Sequence, residues 1–236
     1  MQAEDWPWIW ALADGSVLDW KRGLSHKEIS SQALRQQHLP VEILPGKLYL
    51  GNARNVRDVE GLKELGITAV LNMAGPEALV RQEDQETLKQ SGIVYKEIYA
   101  EDEPSYPLID KHWQEAYDFV VAHAAENPCD IPQKCVVNCV AGMNRSALVV
   151  CAYYMLATRT PVLQTVKHIR HKRGNIALCN EGFQQQLVAL ARQHNLLGIQ
   201  PGTAGSIVAE IPPPLEGFLP LEETTKKANP LDRLTG

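Results

Sequence analysis

The sequence predicts an α/β fold, with a mostly parallel central sheet flanked by helices. Two patterns carry this expectation. From residue 41 onward, short apolar runs of strand type alternate with helical segments, and three helical segments then follow one another with no strand between them. A third observation sets function in that frame. The stretch VVNCVAGMNRSALVV, residues 136–150, leads a β-branched run into a loop holding one cysteine, one glycine and one arginine, then turns apolar again.

In chain order, Val41 to Leu44 and Lys47 to Gly51 read as two short strands around a Pro45-Gly46 turn. Val56, Val59, Leu62 and Leu65 recur at helical spacing and stop at Gly66. Ile67 to Met73 and Ile93 to Tyr99 are strand-type runs, and the polar segment 77–90 between them reads as helix. Pro107 opens a helix with Trp113, Ala116, Tyr117, Val120 and Ala124 on one face, ended by Asn127-Pro128. The strand Lys134 to Val140 follows. Helices are then expected over 146–158, after Thr160-Pro161 with Val162, Val166 and Ile169 inward, and after Asn180 with Phe183, Leu187 and Leu190 inward. Residues 1–40 hold four of the five tryptophans and read as an N-terminal extension. Residues 199–236 carry Pro201, Pro212-Pro213-Pro214, Pro220 and Pro230 without a sustained period and read as a flexible tail.

Composition narrows the function classes. Hydrophobic residues at 44% and charged residues at 22% are ordinary for a globular protein. A net charge of -5 argues against a general affinity for nucleic acid or anionic membrane, so any anion site must be local. The first fifteen residues carry acidic groups where a secretory signal needs a basic start. The longest apolar run, Ala147 to Ala157, is well short of the roughly 20 residues that span a bilayer. Five cysteines without framework spacing, and no C-x-x-C pair or His/Cys cluster, give no expectation of a metal or other cofactor. A reducing compartment fits, the cytoplasm first with the nucleus left open. Nothing in the pattern indicates an oligomeric state.

Cys139, Gly142, Arg145 and Ser146 form C-x-x-G-x-x-R-S at the junction of a buried strand and a helix. Backbone N–H groups of a tight loop closing onto a helix N-terminus converge and carry partial positive charge, so the loop Val140, Ala141, Gly142, Met143, Asn144, Arg145 is suited to a tetrahedral oxyanion such as phosphate. Gly142 permits a turn that a Cβ would obstruct. Arg145 offers a planar fork to two phosphate oxygens. The same field lowers a thiol pKa from about 8.5 to roughly 3.5–7.5, which would make Cys139 a thiolate able to attack phosphorus in line. The Ser146 hydroxyl is placed to ease departure of the sulfur, and no metal is required. Cys135 and Cys151 lie in apolar elements and read as core; Cys129 and Cys179 read as structural or incidental.

The leaving oxygen needs a proton, which calls for a carboxylic acid on a loop facing the thiolate. Glu101, Asp102 and Glu103 follow the strand that ends at Tyr99, at the end where sites form in open α/β sheets. The residue pattern alone does not choose among the three.

The chain resembles a dual-specificity protein phosphatase of the cysteine-dependent protein tyrosine phosphatase superfamily over roughly residues 41–197. Besides the Cys139-to-Ser146 signature, the likeness lies in LPGKLYLGNARNVRD, LKELGITAVLNMA and NEGFQQQL, in the family's order. The resemblance implies a protein tyrosine phosphatase-like fold, with a catalytic domain at 41–198, and a phosphorylated protein as substrate, phosphoserine and phosphothreonine as well as phosphotyrosine. It implies that Asp102 is the general acid. Phosphoinositide phosphatases of this superfamily tend to carry lysines in the loop, and none is present here. Met143-Asn144-Arg145 is compatible with RNA 5′-triphosphatase relatives, to which the acidic net charge adds nothing. The rival class is a phosphate-binding adaptor without turnover, but inactive relatives commonly lack the cysteine, the arginine or the acid, and Cys139, Arg145 and Asp102 are all present. One departure is plain: the family usually has histidine before the nucleophile, where this chain has Asn138. Asn138 is expected to support the loop by hydrogen bonding but, being unable to carry charge, to leave Cys139 less acidified.

Two segments lie outside that reading. VKHIRHKRG, residues 166–174, gathers basic residues late in a helix, as expected of a solvated face compensating the helix dipole. In the similar family this region lies near the cleft, which makes Arg173 a candidate for substrate specificity. The WPWIW stretch is read as packing of the extension onto the domain in preference to a docking site.

Overall fold

The computed structural model describes residues 3–15, 38–124 and 133–202. The strands are β1 (Val41–Leu44), β2 (Leu48–Asn52), β3 (Ala69–Asn72), β4 (Val94–Glu97) and β5 (Cys135–Cys139). They form one sheet in the order β1-β2-β5-β3-β4, in which only β1 and β2 pair antiparallel. β5 is central and wholly buried, which is why its sequence is continuously apolar up to Asn138. Its register sets Cys139 opposite Asn52 and Asn138 opposite Asn72, so the last residues of three parallel strands meet at one end of the sheet.

Eight helices are described: α1 (Trp6–Gly15), α2 (Ala53–Arg57), α3 (Val59–Glu64), α4 (Gln82–Gln90), α5 (Leu108–Ala124), α6 (Arg145–Thr158), α7 (Val162–Arg173) and α8 (Glu181–Gln193). α6 packs on β2, β5, α5, α7 and α8, and its residues from Arg145 to Leu156 are all buried. That placement accounts for its unbroken apolar sequence. Among the described residues no helix is long and apolar enough to cross a membrane.

The structure divides two expected helices. The one expected through Val56 and Leu65 breaks at Asp58, whose carboxylate caps α3 by accepting from Gly61 N at 3.1 Å. α2 ahead of it has its own capping box from Asn52 and Asn55. The segment 77–90 splits into a short 3₁₀ turn, Gly75–Ala78, and α4, with Leu79 between them in the left-handed region at φ 51°.

α1 is docked on α7 and α8. Trp8, Ile9 and Leu12 are buried, and the Trp8 indole N–H donates to Leu197 O at 2.8 Å. Arg192 Nε donates to the buried Asp5 at 2.6 Å. Trp10, by contrast, is 65% exposed. Trp20, Cys129 and most of the tail, 203–236, lie outside the described residues. Packing at Trp8 and exposure at Trp10 give opposite expectations: Trp8→Ala should lower the unfolding free energy by about 3 kcal/mol, and Trp10→Ala should leave it within about 0.5 kcal/mol. Paired denaturant melts check this.

Candidate active site

The loop that follows β5 is defined by where its carbonyls go. Val140 O accepts from Ala53 N at 3.0 Å, at the end of β2. Ala141 O and Gly142 O accept from Arg173, through Nη2 at 2.7 Å and Nε at 3.0 Å. Met143 O accepts from Leu178 N at 2.7 Å. A trans peptide sets each N–H opposite the preceding C=O, so carbonyls held from outside turn the N–H groups of residues 141–144 toward the inside of the loop. Gly142 has φ 67°, and a Cβ there would run into Gly51 O and the Arg173 guanidinium. Both facts require glycine.

Cys139 stands at the foot of this loop, almost wholly buried, and its sulfur accepts from Ser146 Oγ at 3.2 Å. Arg145 opens α6 and is itself buried. Its Nη1 donates to Glu77 Oε2 at 2.6 Å and to Ala100 O at 3.0 Å. Its Nε lies 3.9 Å from Asp102 Oδ2 and has no hydrogen-bond partner among the described residues. A buried donor without a partner beside an inward-facing amide loop is the feature expected of an anion site. Burial works against the Arg145 charge, but Cys139, Glu77 and Asp102 more than offset it and hold its pKa above the ordinary value.

Of the three acidic candidates the geometry brings Asp102 to the loop and leaves Glu101 and Glu103 exposed. Asn180 Nδ2 donates to Asp102 Oδ1 at 3.2 Å and Asn144 Nδ2 to Oδ2 at 3.4 Å. The Asn144 carbonyl oxygen accepts from the N–H groups of Cys179 and Asn180, each at 3.0 Å. Asn144 therefore ties the loop after β5 to the Asp102 carboxylate and to the α7–α8 connection.

Arg173 is a correction. The expectation of a solvated face and of a specificity residue fails for Arg173, which is 2% exposed and faces the loop, with its Nε and Nη2 donating to loop carbonyls. Burial pushes its pKa down to about 10, with Cys139 acting the other way, so it stays charged at neutral pH. Arg170 is buried too; Lys167, His171 and Lys172 are exposed. Asn138 is fully buried, and its Nδ2 lies 3.4 Å from both Cys139 O and Asn72 Oδ1. It touches the last carbonyl of the strand and a neighbouring strand, and none of its hydrogen bonds reaches a loop N–H. Glu77 and Asn180 join the site through Arg145 and Asp102, although neither carries a motif and only the helix-cap position of Asn180 is legible in the sequence. No group of three or more His, Cys, Asp or Glu able to hold a metal occurs among the described residues.

A buried strand, an inward-facing amide loop, a cysteine, an arginine and a tethered carboxylate are thus assembled at one sheet end. Residues 48–193, more than half of the chain, match the family profile of the dual specificity phosphatase catalytic domain. The chain belongs to the dual-specificity phosphatase family. It is 36% identical over 152 residues to dual specificity protein phosphatase 26 of Bos taurus, covering 64% of this chain and 67% of that protein. It is 32% identical over 174 residues to dual specificity protein phosphatase 15 of Homo sapiens, covering 72% and 52%. A crystal structure of DUSP15 superposes with a TM-score of 0.53 at 29% identity, covering 67% of this chain and 96% of that one. As a dual-specificity phosphatase the protein is a cysteine-dependent protein phosphatase, a hydrolase of phosphoproteins.

The cysteines away from the loop bottom should be inert. Burial, aided by Asp102 and opposed by Asn144, pushes the Cys179 thiol up to about 11; burial pushes Cys151 up to about 12 and raises Cys135 as well. At pH 7 the Cys179 thiolate is then on the order of one part in ten thousand. Mass-mapped alkylation with iodoacetamide at pH 7 should leave Cys135, Cys151 and Cys179 unmodified, with Cys179 labelling rising only toward pH 11. Gly142→Ala should lower stability by about 1–3 kcal/mol and abolish vanadate binding, read by calorimetry.

Proposed function

We propose that the protein hydrolyses phosphotyrosine and phosphoserine or phosphothreonine on proteins through a phosphocysteine. The Cys139 sulfur attacks phosphorus and the bond to the leaving oxygen breaks as Asp102 delivers its proton there. Asp102, now a carboxylate, takes a proton from water; the water oxygen attacks phosphorus, the S–P bond breaks, and Ser146 receives the departing sulfur with its hydroxyl. The inward N–H groups of the loop and the Arg145 guanidinium carry the charge of the phosphoryl oxygens through both steps. Asn138 would leave this sequence intact and act on the sulfur only through the Cys139 carbonyl. A thiol nucleophile works in a reducing compartment, so the assignment extends to the cytoplasm, with the nucleus left open.

The observation that supports this reading most is the meeting of Ser146 with the Cys139 sulfur at 3.2 Å beneath a loop whose Arg145 Nε has Asp102 at 3.9 Å. A phosphate-binding adaptor would not need a carboxylate tethered at that point, and no observation favours one.

On an aryl phosphate, Cys139→Ser should remove vanadate-sensitive turnover altogether. Asp102→Asn should reduce kcat/KM by about 10²–10³, more for poor leaving groups than for good ones. Full activity in Cys139→Ser would end the phosphocysteine reading. For Asn138→His, the pH profile of iodoacetate inactivation should move to lower pH; an unchanged profile would show that Asn138 has no hold on the sulfur.

A further inference from the structure

Arg170, on α7, is a buried cation that the proposed reaction does not use. Its donors all go to backbone carbonyls: Nε to Ala177 at 3.0 Å, Nη2 to Leu178 at 3.1 Å, and Nη1 to Leu12 in α1 at 2.9 Å. No carboxylate pairs with it among the described residues. A buried guanidinium is tolerated because charge-assisted hydrogen bonds replace its water. Two of its bonds hold the α7–α8 connection. The third reaches a helix that lies outside the region matched by the family profile.

From the connection the hydrogen bonds continue into the site. Leu178 is held in the left-handed region at φ 56°, which a leucine rarely adopts. Its carbonyl accepts from Arg170 and from Gln184 Nε2 at 2.8 Å, while its N–H donates to Met143 O at 2.7 Å. The next two N–H groups, of Cys179 and Asn180, converge on Asn144 Oδ1, and the amides of Asn144 and Asn180 hold the two oxygens of Asp102. Hydrogen bonds and short stretches of backbone thus join Leu12 O to the Asp102 carboxylate. If α1 leaves its seat, Arg170 Nη1 loses its acceptor and the guanidinium is uncovered to water. Water then competes with the Ala177 and Leu178 carbonyls for its other donors and loosens the connection they fix.

We propose that α1 is a positioning element for the reaction, and Arg170 its positioning residue. Leu12 O orients Arg170, Arg170 fixes the 177–180 turn, and that turn sets the Asn144 and Asn180 amides that aim Asp102 at the leaving oxygen. The inference rests on the reading of Asp102 as general acid.

The test uses the full chain with two substitutions. Arg170→Lys keeps the charge and loses the planar three-way fork; Trp8→Ala loosens the seat of α1 without substituting any residue of the α7–α8 connection. kcat/KM is measured on phenyl phosphate, whose poor leaving group needs a proton, and on p-nitrophenyl phosphate, whose good one needs it little, at a temperature where circular dichroism shows both variants folded. Both should lose about tenfold or more on phenyl phosphate and less than about threefold on p-nitrophenyl phosphate. Equal losses on the two substrates, or no loss, in both variants overturn the proposal. A selective loss in Arg170→Lys alone overturns the role of α1. Asp102→Asn, assayed alongside, separates the two claims. If it does not steepen the dependence on leaving group, Asp102 is not the acid and the inference falls with it; if it does and the two variants do not, the roles of α1 and Arg170 both fall and the reading of Asp102 stands.

Discussion

The peptide planes between Val140 and Asn144 face as they do because their carbonyls are held from outside the loop. Four donors hold them: the N–H of Ala53 at the start of α2, the Nε and Nη2 of the Arg173 guanidinium, and the N–H of Leu178. A buried carbonyl left without a donor costs about 1–3 kcal/mol, so the loop cannot rotate a single peptide without leaving one orphaned. The inward amides are therefore a property of the whole sheet end and of α7. Lysine could not substitute for Arg173 here, since a point ammonium lacks the rigid pair of donors that meets two consecutive carbonyls.

With the loop fixed, charge decides the rest. Arg145 and Arg173 both lie against Cys139, while Glu77 and Asp102 face Arg145. Glu77 is 45% exposed, so water screens it and its ion pair contributes modestly to stability. Its effect is directional. By taking Nη1, together with Ala100 O, it fixes one end of the guanidinium and leaves the buried Nε turned toward Asp102. In the proposed reaction an arriving phosphoryl group would meet an oriented donor there and need not order it.

The alternation of strands and helices and the C-x-x-G-x-x-R-S spacing were readable because each depends on local sequence alone. Glu77 was not, since it reaches Arg145 from a 3₁₀ turn on a distant segment and no pattern marks it. The arginines of α7 were misread for a different reason. Val166, Ile169, Arg170 and Arg173 fall at i, i+3, i+4 and i+7, one helical stripe, and all four are buried. The periodicity points these residues inward, whereas charge alone points them to solvent. A guanidinium can continue an apolar stripe when backbone carbonyls meet its donors, and that condition is tertiary. The division of the helix expected across Asp58 was legible in principle, because an aspartate three residues before a glycine amide is a cap.

The NEGFQQQL stretch holds the Asp102 segment at several points. Asn180 caps α8 by accepting from Phe183 N and also donates to Asp102. Gly182 lets the acid loop lie directly on the helix, for a Cβ there would collide with the Pro104 carbonyl. Gln186 accepts from Ile109 N at 3.0 Å and donates to Tyr106 O at 2.8 Å, and the Tyr106 hydroxyl is 2.7 Å from His112 Nε2. The segment carrying Asp102 is thus clamped at its far end by α5 and α8 and at Asp102 by Asn144 and Asn180. In the proposed reaction, a carboxylate held on both sides before substrate arrives would lose little freedom on binding, so less of the phosphate's binding energy would go into ordering it and more would remain for the transition state.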